Sequence, residues 1–396
     1  MRGHIRQRTK GSYTIVISLG KDPETGKRKQ QWVTVKGTKK DAERKLAELM
    51  HQVDTGTFIK PARLTVADYL KQWLQDYVAV NTSPRTHERY SEIVNLHLVP
   101  ALGSIALMNL QPQHIQDCYA KALKSGRRNG KGGLSAFTVH KHHRVLFEAL
   151  RHGVKRGLLI RNAAEAVDPP RPKFKEMSTL GPDEAHAFLE AARETPYYTL
   201  FHTALYTGLR RSELLGLRWC DVDLEMATLS VVQTLHRLRN GEYLVSQTKS
   251  RRSRRLVALP PSSAIMLREY REAQEATRSL IGVPLLTTGL VFSHPDGRPY
   301  RPDSVSRAFV TLAKAVGLNG VRFHDLRHTH ATLMLRQGVH PKIVSERLGH
   351  SSVAITLDTY SHVVPGLQEK AARQFEEGLQ RTFPETPVGS GALAKC

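Results

Sequence analysis

The sequence predicts a multidomain, mainly α-helical protein with small β elements. Its 396 residues are enough for two or three domains of ordinary size. β-rich runs occur in two short regions, and elsewhere apolar residues recur at helical spacing. A proline-rich stretch at residues 168–173 is the best candidate for a linker. We therefore expect an N-terminal sheet-plus-helix module at residues 1–60 and an all-α bundle at 61–168. A mixed α+β domain at 174–381 and a disordered tail at 382–396 should follow.

The N-terminal module is predicted from two β-rich runs and one amphipathic stretch. Ser12–Leu19 and Gln30–Lys36 are joined by a segment whose proline and glycine suit a hairpin loop. Thr38 and Asp41 form a capping-box-like start for the helix that follows. A small sheet with one helix is expected.

Four helices are predicted in the second domain, starting near Thr65, Pro84, Pro112 and Ser135, and the second should end before Pro100 and Gly103. The last helix has an apolar stripe and an opposite face rich in basic residues and histidines: His140, Lys141, His142, His143, Arg144, Arg151 and Lys155. This face favours DNA contact through Lys141, Arg144 and Lys155, although a solvated helix face has the same composition.

The third domain is predicted to begin with helices at Pro182–Arg193 and Tyr198–Thr207. Three β-like runs follow at Ala227–His236, Tyr243–Thr248 and Arg255–Leu259, and the rest is helical. Lys249 is expected at the tip of a hairpin between the last two runs.

Charge and cysteine content narrow the class of protein. Lys and Arg number 59 against 36 Asp and Glu, a formal net charge of +23 that attracts polyanions, so nucleic acid is the leading partner. The cysteines, Cys118, Cys220 and Cys396, are odd in number and far apart, which argues against disulfides or a cysteine zinc site. No apolar run has the length of a membrane span, and the N-terminus lacks the apolar core of a signal peptide. We expect neither a secreted nor a membrane protein.

Five short motifs in the third domain carry chemically active side chains. Thr207-Gly-Leu-Arg-Arg-Ser-Glu213 places Arg210 and Glu213 one helical turn apart, where a carboxylate can hold a guanidinium. His324-Asp-Leu-Arg327 places a histidine and an arginine on one helix face. The others are Lys249 in Thr248-Lys-Ser250, His350 in Leu348-Gly-His350, and Tyr360 ten residues later.

In this order and spacing, the motifs resemble those of the tyrosine recombinases, the phage-integrase family. The resemblance implies a core-binding helical domain followed by a catalytic domain, and the N-terminal module is similar to an arm-type DNA-binding domain. It also implies a general-acid role for Lys249, assistance with proton transfer at Tyr360 by His324, a hydrogen bond to phosphate from His350, and orientation of the reacting groups by Glu213.

The chemistry of the reaction requires these residue types. Breaking a phosphodiester without water or metal requires a nucleophile, a proton for the leaving 5′ oxygen, and cations around the non-bridging oxygens. Arg210 and Arg327 are the predicted phosphate clamp, because a guanidinium grips phosphate with paired hydrogen bonds. Tyr360 is the predicted nucleophile. The 3′-phosphotyrosyl bond would conserve the energy of the broken bond, so neither ATP nor a cofactor is expected.

Several residues admit another interpretation. Tyr360 can also be read as a core tyrosine. Arg251 and Arg252, in the same charge run as Lys249, are predicted DNA contacts, and for Lys249 the alternative is a solvated turn that grips phosphate. His324, His328 and His330 suggest a metal site, but there is no His-Glu-x-x-His motif and Arg327 would repel a cation.

The predicted function is that of a site-specific recombinase, the integrase of a phage or an integrative mobile element. By resemblance it acts on double-stranded DNA at core and arm sites, as a homotetramer joined through a C-terminal stripe of Leu367, Ala371, Phe375 and Leu379. The alternative for this stripe is packing within its own protomer. An excisionase and a host DNA-bending protein are further candidate partners, and the bacterial cytoplasm is the expected location. The alternatives are a non-enzymatic DNA-binding regulator, a chromosome-dimer resolvase, and a type IB topoisomerase-like or nicking enzyme.

Overall fold

The computed structural model describes residues 3–21, 26, 28–54, 64–172, 177–247, 254–360, 372–373 and 375–379. The chain divides into two compact units, Met1–Phe174 and Lys175–Cys396. Helices predominate and the sheets are small and antiparallel, so the predicted fold class is confirmed. Lys249, Arg251, Arg252, Leu367, Ala371 and the predicted tail at 382–396 lie outside the described residues.

The N-terminal region of the first unit contains one strand more than the sequence predicts. Strands β1 (Gly3–Thr9), β2 (Ser12–Lys21) and β3 (Arg28–Lys36) form an antiparallel sheet in that order, followed by helix α1 (Lys39–Asp54). The first strand was missed because Ile5 is its one large apolar residue among basic and polar neighbours. The predicted capping box is present, since the Thr38 backbone N–H donates to Asp41 Oδ2 at 2.9 Å.

The remainder of this unit is a helical bundle. It consists of α2 (Val66–Trp73), a π-helical turn (Leu74–Val78), α3 (Ala79–Asn81), α4 (Pro84–Ile93), a second π turn (Val94–Leu98), α5 (Val99–Leu102), α6 (Pro112–Ser125) and α7 (Ala136–Lys155). Short 3₁₀ helices lie at Leu107–Asn109 and Ala163–Ala166.

The second helical stretch ends before Gly103 as predicted, but it does not end before Pro100. It continues to Leu102 because the turn before the proline is a π turn, in which the Val99 N–H donates to the Val94 carbonyl. Pro100 has no backbone N–H to donate to a helical hydrogen bond, and the wider π turn accommodates its ring, which would clash in a regular helix.

Helix α7 also differs from its predicted faces. His142, expected on the basic face, is 4% exposed and its ring lies 4.5 Å from that of His97. It falls three residues after Val139 and four before Leu146, both buried, so it belongs to the apolar stripe. Burial lowers the pKa of His142 to about 4.

The second unit contains helices α8 (Pro182–Ala192), α9 (Tyr198–Thr207) and α10 (Arg211–Leu215), then a 3₁₀ turn (Trp219–Asp221) and a strand region. Its strands are β4 (Val222–Asp223), β5 (Thr228–Val231), β6 (Gln233–Arg237), β7 (Tyr243–Gln247) and β8 (Arg255–Ala258). The remaining helices are α11 (Pro261–Leu280), α12 (Pro302–Ala315), α13 (Asp325–Arg336), α14 (Pro341–Leu348) and α15 (Val353–Tyr360).

The strand pairing corrects two expectations. The predicted run Ala227–His236 is two strands, because the chain leaves one sheet after Val231 and enters another at Gln233. In the described residues β5 pairs with β8 and β6 pairs with β7, so the strands on either side of Lys249 do not form the expected hairpin with each other. Alternating apolar residues identify a strand but do not choose its partner.

Two apolar clusters hold the helices that carry the predicted site. Phe188, Phe201, Phe309 and Phe323 interlock in the main core of this unit, which fixes the start of α13. A smaller cluster joins α13, α14 and α15 through Ala331, Leu335, Val344, Leu348 and Tyr360. The motif residues therefore sit on helices that pack directly on one another. Among the described residues, no helix has the length and apolar character needed to traverse a bilayer.

Candidate active site

A cavity of ≈ 420 Å³ in the second unit brings together five of the predicted site residues: Arg210, His324, Arg327, His350 and Tyr360. They come from the start of α10, the first turn of α13, the residue after Gly349, and the end of α15. These segments are up to 150 residues apart in sequence, as the difference between positions 210 and 360 shows. The cavity also includes His328, which the predicted site did not.

Arg327 is fixed by backbone carbonyls at the ends of two helices. Its Nη1 donates to the Gly208 carbonyl at 2.8 Å and its Nη2 to the Leu348 carbonyl at 2.7 Å. Gly208 ends α9 with a φ of 66°, and a Cβ there would lie 2.7 Å from the His330 ring. Burial lowers the pKa of the Arg327 guanidinium to about 9, so it stays charged at neutral pH.

Arg210 is held by Glu213 and remains accessible. Its Nη1 donates to Glu213 Oε1 at 2.7 Å, its backbone N–H to Oε2 at 2.9 Å, and its Nη2 to the Gly349 carbonyl at 3.4 Å. The Arg210 side chain is 38% exposed, whereas that of Glu213 is 2% exposed. The buried carboxylate therefore holds the guanidinium from its protein side.

Arg255 is a part of the site that sequence reasoning missed. Its Nη2 and Nη1 donate to the two oxygens of Glu213 at 2.8 and 3.1 Å, and its Nε donates to the Arg347 carbonyl at 2.7 Å. Burial alone would raise the pKa of Glu213, but hydrogen bonds and charge from Arg255, with the charge of Arg210, lower it to about 2. Arg255 lies in a run of basic residues, where no sequence feature sets it apart from Arg254.

Tyr360 and His328 form the second half of the cavity. The Tyr360 side chain is 1% exposed, and its hydroxyl lies 2.8 Å from His328 Nδ1. Burial raises the pKa of the phenol to about 12 in spite of the positive charges of Arg327 and Arg210. His328 was considered in the sequence only as a metal ligand, but its spacing of one helical turn from His324 was a usable indication that it lies in the cavity.

The two predicted histidines contact other groups. His324 packs edge-on against His328, with ring centroids 5.0 Å apart. His350 stacks on Tyr360 at 6.4 Å, and its Nδ1 lies 2.8 Å from Thr356 Oγ1. Desolvation, followed by the charges of Arg327 and Arg210, lowers the pKa of His350 to about 4. Among the described residues that line the cavity, the positive charge at neutral pH therefore comes from arginine, because the pKa of each of the three histidines is lowered.

The arrangement suits an anion that carries several acceptor oxygens. Two guanidinium groups line one cavity with a phenol, and both arginines are pre-oriented by protein acceptors. Such donors cost little reorganisation when charge develops on a phosphate. No group of histidine, cysteine, aspartate or glutamate side chains suited to a metal ion occurs in the part of the chain that the structure describes.

The predicted DNA-contact residues of α7 lie at its surface. Arg144 and Lys155 are exposed, and the Lys141 Nζ lies 3.8 Å from the centroid of the exposed Phe137 ring. Arg151, on the same helix, is paired with Glu148 at 2.6 Å. The basic face is narrower than predicted, because His142 is inside and Arg151 is partly neutralised.

Comparison with known proteins identifies two matching family models and several full-length relatives. The phage integrase family model matches residues 178–365, and the model of the phage integrase N-terminal SAM-like domain matches 65–123. An integrase of Streptomyces ambofaciens is 30% identical over 358 residues, covering 88% of each chain. A tyrosine recombinase XerC-like protein of Caldanaerobacter subterraneus is 28% identical, covering 92% of this chain and 96% of that protein. The ICEBs1 integrase of Bacillus subtilis is 26% identical, covering 95% and 100%.

Solved structures share the fold. The Tn1549 transposon integrase in complex with a circular intermediate DNA has a TM-score of 0.66 at 20% identity, covering 80% of this chain and 99% of that one. The lambda integrase tetramer bound to a Holliday junction has a TM-score of 0.55 at 20% identity, covering 88% and 95%.

Fold, cavity and relatives define a class of enzymes that transfer DNA strands. The chain belongs to the phage integrase family, the tyrosine recombinases, and its function is site-specific DNA recombination.

Proposed function

We propose that this chain is the integrase of a phage or an integrative mobile element, and that it cleaves and rejoins DNA through a 3′-phosphotyrosyl bond to Tyr360. The observation that carries the proposal is the convergence of Tyr360, Arg210 and Arg327 on one cavity. The integrases of ICEBs1 and of the Tn1549 transposon, both similar to this chain, support a mobile element as its source.

Arg210 and Arg327 act as the phosphate clamp in this proposal. Each is already held by protein acceptors, so its remaining N–H groups can bind the scissile phosphate without a change in side-chain conformation. Glu213 and Arg255 keep Arg210 in place. His350 donates a hydrogen bond from Nε2 to a non-bridging oxygen, while its Nδ1 accepts from the Thr356 hydroxyl.

The leaving 5′ oxygen requires a proton, which we assign to Lys249. The assignment rests on its place after Thr248 in the family pattern, and Arg251 and Arg252 beside it are assigned to the DNA backbone. Lys141, Arg144 and Lys155 of α7 add contacts to phosphates. Affinity should then fall steeply with salt, because each phosphate contact releases counterions.

The assembly follows from what recombination needs. Two duplexes and four strand cleavages call for four protomers on a four-way junction, and the lambda integrase tetramer bound to a Holliday junction is a structural precedent. Phe375 and Leu379, 71% and 48% exposed, are available for a contact between protomers. We further propose that the protein acts at core and arm DNA sites in the bacterial cytoplasm. An excisionase and a host DNA-bending protein are its proposed partners.

A nicked core-site duplex that loses its 5′ end after cleavage tests the proposal. Wild-type protein should form a DNA–protein adduct that survives denaturation, whereas Tyr360→Phe should bind the same DNA and form none. Tyr197→Phe is the matched control: its ring packs on Phe201 and Tyr300 away from the cavity, so adduct formation should persist.

Three results would contradict the proposal. An adduct formed by Tyr360→Phe would exclude Tyr360 as the nucleophile. Site binding by wild type without any adduct would indicate a DNA-binding regulator, and relaxation of supercoiled plasmids that lack the site would indicate a topoisomerase or nicking enzyme.

A further inference from the structure

We propose that His328 is the base that takes the proton of Tyr360 as the nucleophile attacks. This inference rests on the proposed function and assigns a further catalytic residue to the same site. By family resemblance, the histidine that assists proton transfer at the phenol is His324, so the inference moves that role to another side chain.

Geometry distinguishes His328 from the other imidazoles of the cavity. Its Nδ1 lies 2.8 Å from the Tyr360 hydroxyl, within the distance needed for direct proton transfer. The ring of His324 packs against the His328 ring, and the His350 ring lies nearly parallel to the phenol, with centroids 6.4 Å apart, while its Nδ1 contacts Thr356. Of these three rings, His328 has the nitrogen directed at the reacting oxygen.

The surroundings of His328 keep it able to accept a proton. Burial lowers the pKa of the ring; Asp325 raises it, and the charges of Arg327 and Arg322 lower it further. His324, His350 and Tyr360 are the other titratable groups near the ring. The imidazole is therefore neutral at neutral pH, and in the tautomer protonated at Nε2 its Nδ1 lone pair accepts the phenol O–H.

A base is needed because Tyr360 alone is a weak nucleophile. Its pKa is raised to about 12, so only a minute fraction is phenolate at neutral pH. Arg327 and Arg210 favour the phenolate, but both also serve the phosphate.

The transfer balances in both directions. In cleavage, Tyr360 Oη bonds to phosphorus, the bond from phosphorus to the 5′ oxygen breaks, the phenol proton moves to His328 Nδ1, and the proposed acid Lys249 protonates the 5′ oxygen. In rejoining, an incoming 5′ hydroxyl gives its proton to the Lys249 amine, and His328 returns its proton to Tyr360 Oη as the phosphotyrosyl bond breaks. The phosphate in the cavity offsets the transient imidazolium charge.

Two substitutions separate a base from a residue that only positions the phenol. His328→Asn places an amide near the Nδ1 position and keeps a hydrogen bond, but it cannot take a proton. His328→Phe keeps a ring and removes the hydrogen bond. We expect both to bind the nicked duplex like wild type and to form adduct about 10²- to 10⁴-fold more slowly. His202→Phe, another buried histidine of this unit, is the control and should cleave at the wild-type rate.

A more acidic phenol provides the second readout. With 3,5-difluorotyrosine at position 360, the His328→Asn protein should regain most of the lost rate, because an ionised phenol needs no base. Its rate should also rise with pH until the phenol is ionised, whereas the rate of wild type should level off once His328 is neutral.

The outcomes keep this inference apart from the proposed function. A wild-type rate for His328→Asn, or a slow variant that the fluorinated tyrosine does not rescue, would mean that His328 positions Tyr360 without acting as its base. Absence of an adduct from wild type itself would instead contradict the nucleophilic role of Tyr360. Thermal unfolding and DNA binding of each variant check that it is folded, and Asn and Phe provide two independent substitutions.

Discussion

At the scale of single residues, the site is a set of arginines held in place by groups behind them. Glu213 is the centre of this support, since it accepts hydrogen bonds from Arg210 on one side and Arg255 on the other. Spacing in the sequence predicted Arg210, Glu213 and Arg327 as site residues. Arg255 was not predicted, because what distinguishes it is a contact across the fold. His328 was not predicted either, although its spacing of one helical turn from His324 indicated it.

Replacing Arg255 by Leu should destabilise the second unit and slow cleavage. The Glu213 carboxylate would remain buried with one partner, at a cost of roughly 3 to 5 kcal/mol in the free energy of unfolding. Glu213 would then hold Arg210 less rigidly in its position for the phosphate, so adduct formation should fall while DNA binding is kept. Denaturant unfolding and the nicked-duplex assay measure the two effects.

Arg254→Leu is the matched control for this change. Arg254 is exposed and donates to Gln247, so its loss should change the free energy of unfolding by less than about 0.5 kcal/mol. Equal effects of the two substitutions would show that the Arg255–Glu213 pair does not support the site.

At the scale of elements, helix starts were predictable and strand partners were not. Ser135, Pro112 and Pro84 begin helices as expected, because caps and first-turn prolines are local features. The pairing of β5 with β8 and of β6 with β7 depends on the fold around them. The π turn that admits Pro100 is likewise invisible to a pattern of 3.6 residues per turn.

The cap of α7 provides a test at this scale. The Ser135 side chain accepts a hydrogen bond from the Thr138 N–H at 3.2 Å, so Ser135→Ala should lower the free energy of unfolding of the first unit by about 1 kcal/mol. Ser135→Asp, another good cap, should restore it. Ser125→Ala is the control, since that hydroxyl donates to the Lys121 carbonyl at 3.4 Å and caps no N–H. Urea unfolding measures all three, and a loss for Ser125→Ala equal to that for Ser135→Ala would contradict the capping role.

At the scale of the whole molecule, positive charge lies on arginine and lysine, while buried histidines add none at neutral pH. The net charge of +23 and the DNA partner it implies were readable from composition. The burial of particular histidines was not, because a histidine between apolar residues is compatible with a surface or a core position. Burial lowers the pKa of His142 and His202 to about 4 and that of His330 to about 3.

These histidines make stability depend on pH in a defined direction. Each has a lower pKa in the folded chain than in the unfolded one, near 6.5. The unfolded chain therefore binds more protons between these values, and stability present above about pH 6.5 is lost as the pH falls toward 4.

His202 offers the sharpest test of this pH dependence. It is 8% exposed, its ring stacks 4.2 Å from that of Tyr206, and its Nδ1 has no hydrogen-bond partner within the described residues. His202→Phe keeps the stacking and removes the titration. Between pH 7.5 and pH 5, the free energy of unfolding should therefore fall by about 2 kcal/mol less in the variant than in wild type. His186→Phe, an exposed position on α8, should follow the wild-type profile. Parallel profiles for wild type and His202→Phe would show that this ring is not held neutral by the fold.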